Sequence, residues 1–278
     1  VVPGDKSARL RNLDRTGQDR SGIVLTKEKS YLLESRLLPL ARKRGMASLD
    51  ELVAAIRNKR DARLISAVTE AMTTNESSFF RDIRPFDIFR KVVLPEMLES
   101  RAAKRGIRIW CAACSTGQEP YSLAICLREE AAKLTGWRTE IIGTDLSTEV
   151  LEKAKVGLYS QFEVQRGMPI QLLMKYFSQV NETWQISPQI RAMVRFRPLN
   201  LLESFSGLGM FDIVFCRNVL IYFDNPTKKA VLEKIARIMP ADGKLFLGGA
   251  ETVIGVTKAF RPVSGQRGLY EITAKDAQ

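Results

Sequence analysis

The segment Ile107-Arg-Ile-Trp-Cys-Ala-Ala-Cys-Ser-Thr-Gly-Gln-Glu-Pro-Tyr121 constrains the fold of this chain more than any other. Apolar and β-branched residues stop abruptly at a run of small ones, and an apolar-periodic stretch from Tyr121 to Leu127 follows. That order predicts a strand, a tight turn and the start of a helix. The turn Ala112–Gly117 carries so little side-chain bulk that a ligand can lie on its backbone N–H groups and on the helix N-terminus. Glu119 sets a carboxylate at that helix entrance, and Pro120 suits a first helical turn. A carboxylate there repels a phosphate and favours a ligand with a cationic end and ribose hydroxyls. Only Gly117 answers to the Gly-x-Gly-x-x-Gly dinucleotide pattern, so this turn alone is also compatible with an ordinary strand-to-helix connection.

The pattern then repeats. Glu140-Ile-Ile-Gly-Thr-Asp145 is a short strand ending in an acid, followed by a helix to Lys155 for which Ser147 is a suitable N-cap. Asp145 lies 28 residues after Gly117, near the place of a ribose-binding acid at the end of a second strand. Further strands are expected at Met193–Phe196, Phe211–Cys216 and Gly243–Gly248, a helix at Asn225–Ile238, and a closing hairpin from Phe260–Val263 and Gly268–Ile272. Residues 157–167 read as irregular and 170–177 as helical. Thr183–Ile186 belongs to a small antiparallel excursion that returns to the main sheet through Val194–Phe196. Strands alternating with helices imply an α/β fold with a doubly wound, Rossmann-like parallel sheet and an antiparallel edge. In such sheets ligands sit beyond the strand C-terminal ends. Glu119, Asp145, Asn200 and Asn218 fall there, each after a successive strand.

Upstream, residues 1–20 are polar and aperiodic and read as a mobile tail. Residues 21–84 form a helical N-terminal domain. It is expected to comprise a helix over Thr26–Arg44 interrupted by Pro39, a second over Leu49–Lys59 opened by the capping box Ser48-x-x-Glu51, and a third over about Asp61–Met72. Residues 85–105 are a linker helix, and residues 106–278 the α/β domain with a β-subdomain at about 177–196. Net charge is +12, with 22 Lys and Arg against 14 Asp and Glu in residues 1–105 and 21 against 17 in the rest. The surplus in the N-terminal third points to an acidic partner, either nucleic acid or an acidic protein surface.

The chain contains no histidine, which excludes histidine-dependent triads, imidazole bases and His-ligated metals. The four cysteines sit in or beside apolar segments, where buried thiols are expected, and Cys111-x-x-Cys114 has no second pair to complete a zinc site. No metal site is expected. No apolar run approaches the roughly 20 residues of a membrane span, and no signal-like segment opens the sequence, so a cytoplasmic protein without membrane insertion is expected.

The strings Thr73-Thr-Asn-Glu-Ser-Ser-Phe-Phe-Arg81, Ala113-Cys-Ser-Thr-Gly-Gln-Glu-Pro-Tyr121, Gly143-Thr-Asp-Leu-Ser147, Leu199-Asn-Leu-Leu202 and Phe215-Cys-Arg-Asn-Val-Leu-Ile-Tyr-Phe-Asp224 resemble the CheR family in their order and spacing. These are S-adenosylmethionine-dependent methyltransferases that esterify glutamates on bacterial chemoreceptors. The resemblance spans about residues 21–273. It implies a class I methyltransferase sheet behind a helical domain that faces the cytoplasmic helices of the receptor. It also implies that Asn75, Ser77 and Arg81 close over the methionine end of the cofactor and that Glu119 lies beside it. Asp145 would hold the ribose, Asn200 and Leu201 the adenine, and Asn218 and Val219 the neighbourhood of the sulfonium. Arg81 and Tyr222 are the implied catalytic pair.

Two positions depart from the family pattern: Ser77 stands where threonine is common and Gln118 where glutamate is common. Both retain hydrogen-bonding capacity. The stretch Phe177–Phe196 is shorter than in members that tether to a receptor pentapeptide and lacks their glycine-flanked turn, so a pentapeptide-independent monomer is expected. Three other readings are weighed against this one: a nucleic-acid methyltransferase, a methyltransferase of another acidic protein, and a non-catalytic cofactor-binding regulator. The first usually needs an Asn/Asp-Pro-Pro-Tyr/Phe type motif, which is absent, so nucleic acid is not the expected partner.

Overall fold

The computed structural model describes residues 37–59, 64, 67, 68, 71 and 77–273. The expected tail, the first half of the Thr26–Arg44 helix, much of the Asp61–Met72 helix and the site residue Asn75 lie outside the described residues. Contacts divide the chain into two units, Val1–Thr74 with Ile221–Lys228, and Asn75–Leu220 with Lys229–Gln278.

In the first unit, α1 (Leu38–Lys43) carries Pro39 in its first turn, where a missing N–H costs nothing. Helix α2 (Leu49–Lys59) opens on a variant capping box. Ser48 Oγ accepts from Glu51 N at 3.2 Å, while the Glu51 carboxylate reaches back to Ala47 N at 2.9 Å rather than to Ser48. Leu37, Ala41, Leu52, Val53, Leu64 and Val68 share one buried core, the amphipathic packing that a short helix needs to be stable.

The second unit begins with α3 (Arg84–Ile88), a π-helical stretch Phe89–Val93 and α4 (Leu94–Ser100), where the periodicity suggests one continuous helix. The departure has a local cause. Pro95 has no N–H and its ring crowds the carbonyl four residues back, so the turn ahead of it widens.

The sheet follows. Strands β1 (Gly106–Ala112) and β2 (Arg138–Asp145) pair in parallel, with α5 (Gln118–Glu129) between them and α6 (Thr148–Val156) after β2. Ser147 caps α6, accepting from Val150 N at 3.3 Å. Residues expected to be irregular supply β3 (Leu158–Ser160) and α7 (Gln161–Gln165); a three-residue strand is too short to show a period. Helix α8 (Ile170–Tyr176), β4 (Phe177–Val180), β5 (Thr183–Ile186) and α9 (Pro188–Arg191) come next. Strands β3, β5 and β4 form a separate antiparallel sheet in that order. The chain re-enters the main sheet at β6 (Val194–Pro198) and continues through β7 (Ile213–Cys216), α10 (Asn225–Arg237), β8 (Lys244–Leu247), β9 (Phe260–Pro262) and β10 (Leu269–Ile272).

The seven-stranded order is β6-β2-β1-β7-β8-β10-β9. Its first five strands run parallel, and β10 alone runs against them, pairing antiparallel with both β8 and β9. Every residue of β7 and β8 is buried, as expected of parallel strands covered on both faces. The order reverses direction between β1 and β7. In an open α/β sheet, that switch point is where a crevice opens beyond the strand C-termini. Among the described residues no helix is long and apolar enough to cross a membrane, and no group of acidic or cysteine side chains is placed to hold a metal ion.

Candidate active site

At the switch point β1 delivers the small-residue turn. Ala113 and Ser115 adopt left-handed backbone angles (φ 56° and 50°), and Gly117 does so at 92° as it enters α5. A Cβ on Gly117 would lie 2.9 Å from the Ala154 methyl, so only glycine lets α5 pack this closely. The turn is fixed from β2. One Asp145 oxygen accepts from Ser115 N at 2.8 Å and the other from Ser147 N at 3.0 Å. Two N–H donors favour the ionised form of Asp145, but burial outweighs them and its pKa is raised. The Asp145 carbonyl accepts from Leu199 N at 2.9 Å, which ties the end of β6 to the same edge. There Asn200 Oδ1 accepts from Leu202 N, and the carbonyl of the buried Leu201 accepts from Lys234 Nζ at 2.6 Å.

Glu119 spans the crevice. It accepts from Arg217 Nη1, at the end of β7, at 2.8 Å. The Arg217 side chain is only 1% exposed, and its second nitrogen donates to Asp82 at 2.6 Å and to the Arg81 carbonyl at 3.0 Å. Its Nε is buried with no partner among the described residues. Burial raises the pKa of Glu119, while Arg217 foremost and Arg81 after it oppose the shift by favouring the carboxylate. Arg81 is therefore close enough to act electrostatically on Glu119.

Arg81 sits on a strap held at several points. Phe79 is fully buried, with its ring edge-to-face against Tyr159 at 4.9 Å and Phe177 at 5.5 Å. Phe80 N donates to Ser122 Oγ at 3.0 Å. Phe80, Asp82 and Ile83 all have positive φ, strained for side-chain-bearing residues and characteristic of sites where geometry is over-determined. Ser77 is half-buried at the start of the strap. Gln118 is buried and accepts from Thr116 Oγ1 at 2.8 Å, so glutamine does structural work at that departing position.

After β7, Asn218 has φ 59°. Its N–H and that of Val219 donate to the two oxygens of Glu251 at 2.8 and 2.9 Å, and Gly248 N donates to the same carboxylate at 2.7 Å. Tyr222 is half-buried on the 3-10 turn Leu220–Tyr222, within the segment that groups with the first unit.

The structure thus brings Arg81, Glu119, Asp145, Asn200, Leu201, Asn218 and Val219 to one edge of one sheet. Three of its organising residues do not emerge from the sequence reading. Arg217 is a charged residue directly after a fully buried strand, and Asp82 directly follows Arg81. Glu251 lies four residues past β8, so an acid just beyond a strand end, the rule that selects Asp145, also selects it. These elements bring four carboxylates (Asp82, Glu119, Asp145, Glu251) and two guanidiniums (Arg81, Arg217) to this edge, with Arg217 bridging Glu119 and Asp82 and backbone N–H groups holding Asp145 and Glu251. That acidic surplus suits a cationic ligand.

Residues 75–269 match the family described as CheR methyltransferase, SAM binding domain, and residues 11–73 match the CheR methyltransferase all-alpha domain. Chemotaxis protein methyltransferase 1 of Pseudomonas aeruginosa is 42% identical over 252 residues, covering 89% of this chain and 91% of that protein. Chemotaxis protein methyltransferase 1 of Vibrio cholerae is 39% identical over 262 residues, covering 93% and 94%. The acid-lined edge agrees with those matches, and the chain belongs to the CheR family as an S-adenosylmethionine-dependent methyltransferase.

Proposed function

We propose that this methyltransferase esterifies glutamate side chains on the cytoplasmic helices of chemoreceptors. The observation that carries the reading is a site with no base to spare. The chain has no histidine, and the carboxylates of the site are engaged, Glu119 by Arg217 and Asp145 and Glu251 by backbone N–H groups. A nucleophile that must lose a proton is poorly served here. A glutamate, with a reference pKa near 4.3, arrives ionised. Receptor fragments incubated with the protein and S-adenosylmethionine should gain a methyl group on glutamates, read by peptide mass spectrometry; methyl groups confined to lysine or to nucleic acid would sink the reading.

The residues divide the work. When bound, S-adenosylmethionine supplies a methyl group on a positively charged sulfur. Asp145 accepts from the ribose hydroxyls, Asn200 and Leu201 meet the adenine, Asn75, Ser77 and Arg81 hold the methionine end beside Glu119, and Asn218 and Val219 line the sulfonium side. Arg81 and Tyr222 would orient the incoming carboxylate, so that alignment and desolvation replace proton transfer. Arg81→Ala is accordingly expected to lower kcat by roughly 100-fold, the scale of losing one charge-assisted contact at the reacting group, with a much smaller change in S-adenosylhomocysteine affinity. Equal losses in both would reduce Arg81 to a cofactor clamp.

Acidification should weaken cofactor binding early. Asp145 and Glu119 have raised pKa values in the folded protein. Their protonated forms therefore persist above the ordinary carboxylate range of about 3.9–4.3. What these groups contribute to stability is fully present below that range and is lost as pH rises through the raised values. A cationic ligand binds their charged forms, so its affinity runs the other way. Calorimetric titration of S-adenosylmethionine should show affinity falling on acidification before the pH reaches that range; an affinity that stays flat down to that range would contradict the assignment.

The protein acts in this reading as a cytoplasmic monomer without nucleic acid as partner. The helical unit, with Arg42, Lys43 and Arg44 exposed, faces acidic receptor helices. The division suggested by the sequence, tail 1–20, helical domain 21–84, linker helix 85–105 and catalytic domain 106–278, differs from the contact-based units, whose first boundary falls between Thr74 and Asn75 and leaves Ser77 to Arg84 with the catalytic unit. The β-subdomain does not use a pentapeptide tether. Titrating a receptor C-terminal pentapeptide should give no heat, whereas micromolar binding would overturn that part.

A further inference from the structure

Three surface segments of the catalytic unit are stitched together by two arginines. Arg84, just past the strap, donates to the Gly265 carbonyl at 3.4 Å, and Arg267 donates to the Gly249 carbonyl at 3.4 Å. Both arginine side chains are exposed. Within these segments two large apolar side chains stand in water: Ile83 is 65% exposed and Ile254 is 69% exposed. Neither is a loose tip. Ile83 directly follows Asp82, which Arg217 grips, and Ile254 lies three residues after Glu251, which holds the Asn218 and Val219 amides. Val253, beside Ile254, is 1% exposed and anchors that loop.

Ile83 is the more telling of the two. Its backbone sits at φ 51°, ψ −55°, a conformation that a β-branched residue adopts only under constraint. Glycine would take this tight γ-turn conformation with less strain. The chain instead places an isoleucine there and holds it outward. Strain with exposed apolar surface, next to a residue of the site, marks a contact made with something else.

We propose that Ile83 and Ile254, flanked by Arg84 and Arg267, form a docking rim for the substrate's helix, an acidic amphipathic helix whose apolar stripe covers the isoleucines and whose carboxylates meet the arginines. Charge complementarity selects this occupant over an uncharged one. The inference rests on the reading of receptor helices as substrate, and it assigns to the catalytic unit a contact separate from the basic helical unit.

The test uses the full chain loaded with S-adenosylhomocysteine and membrane vesicles carrying one chemoreceptor of the same organism. The double variant Ile83→Asn/Ile254→Asn is expected to bind the vesicles roughly ten-fold more weakly or worse, that factor being the scale of leaving one isoleucine side chain uncovered. In the transfer assay the loss should fall on KM for receptor rather than on kcat. S-adenosylhomocysteine affinity should be unchanged and the melting temperature little changed, because both side chains stand in water; a merely structural role would move both. Arg84→Glu/Arg267→Glu should raise the same KM, and wild-type binding should weaken with salt. Unchanged vesicle binding and KM in the isoleucine double variant, while wild-type methylation of receptor glutamates proceeds, overturns the rim and leaves the methyl-transfer reading standing. No vesicle binding by wild type overturns the rim as well. So does a shift of the double variant alone to a smaller species in sedimentation, since the rim would then cover a second copy of the chain.

Discussion

Replacing Arg217 with alanine is expected to lower the melting temperature by roughly 10 °C and to weaken cofactor binding. The temperature figure follows from about 3–5 kcal/mol for removing one partner of a buried ion pair, at about 2–4 °C per kcal/mol for a domain of this size. Most of that cost sits on Glu119, which is 13% exposed, rather than on Asp82, which is 55% exposed and screened by water. Burial already raises the pKa of Glu119, and Arg217 is the largest influence opposing the rise. Without it Glu119 titrates higher still. A carboxylate with a raised folded pKa contributes stability at low pH and loses it as pH rises, so the variant should be hurt more at pH 8 than at pH 5. Adding Glu119→Gln to Arg217→Ala should recover part of the loss, because the uncompensated charge is removed with its partner. Thermal unfolding of the four proteins at two pH values checks this; additive losses would place Arg217 outside the ion pair.

Asp145→Ala should raise the S-adenosylmethionine Kd by roughly 100-fold or more. Hydrogen bonds to a charged group contribute about 1.5–3 kcal/mol each, and two of them amount to about 3 kcal/mol or more. The side chain has two tasks. It accepts from Ser115 N and Ser147 N, which shapes the turn, and in the proposed reading its remaining lone pairs would meet the ribose hydroxyls. Asp145→Asn keeps one acceptor oxygen and should lose about ten-fold. If the asparagine variant binds like wild type in calorimetry, the charge is not used and Asp145 only shapes the turn.

The parts of this molecule that carry a period or a punctuation mark were legible in the sequence. Strands β1, β2, β7 and β8 read as apolar runs because both faces are covered, and the polar residues that end them fall at the strand C-terminal edge. The Ser147 cap and the hairpin of β9 and β10 were equally readable. What escaped had no period to show. Strand β3 is three residues long, and its pairing with β5 is decided by contacts across the chain. The π-helical stretch before Pro95 depends on one ring meeting one carbonyl. Arg217 and Glu251 escaped for a different reason. Their roles consist of partners 98 and 33 residues away in sequence; a linear string does not say which carboxylate a guanidinium will meet, and a strand-end position marks Glu251 without saying which amides it holds. Asn75 and Tyr222 rest on the family resemblance alone.

The measurement that bears most directly on the whole account is methyl transfer from labelled S-adenosylmethionine to receptor-bearing membranes, followed by mild alkali. Label on receptor-sized protein that is released by base as methanol is the expected result, since only a carboxyl ester hydrolyses in that way. Label that survives alkali, or that appears only when RNA or DNA is added, would contradict it.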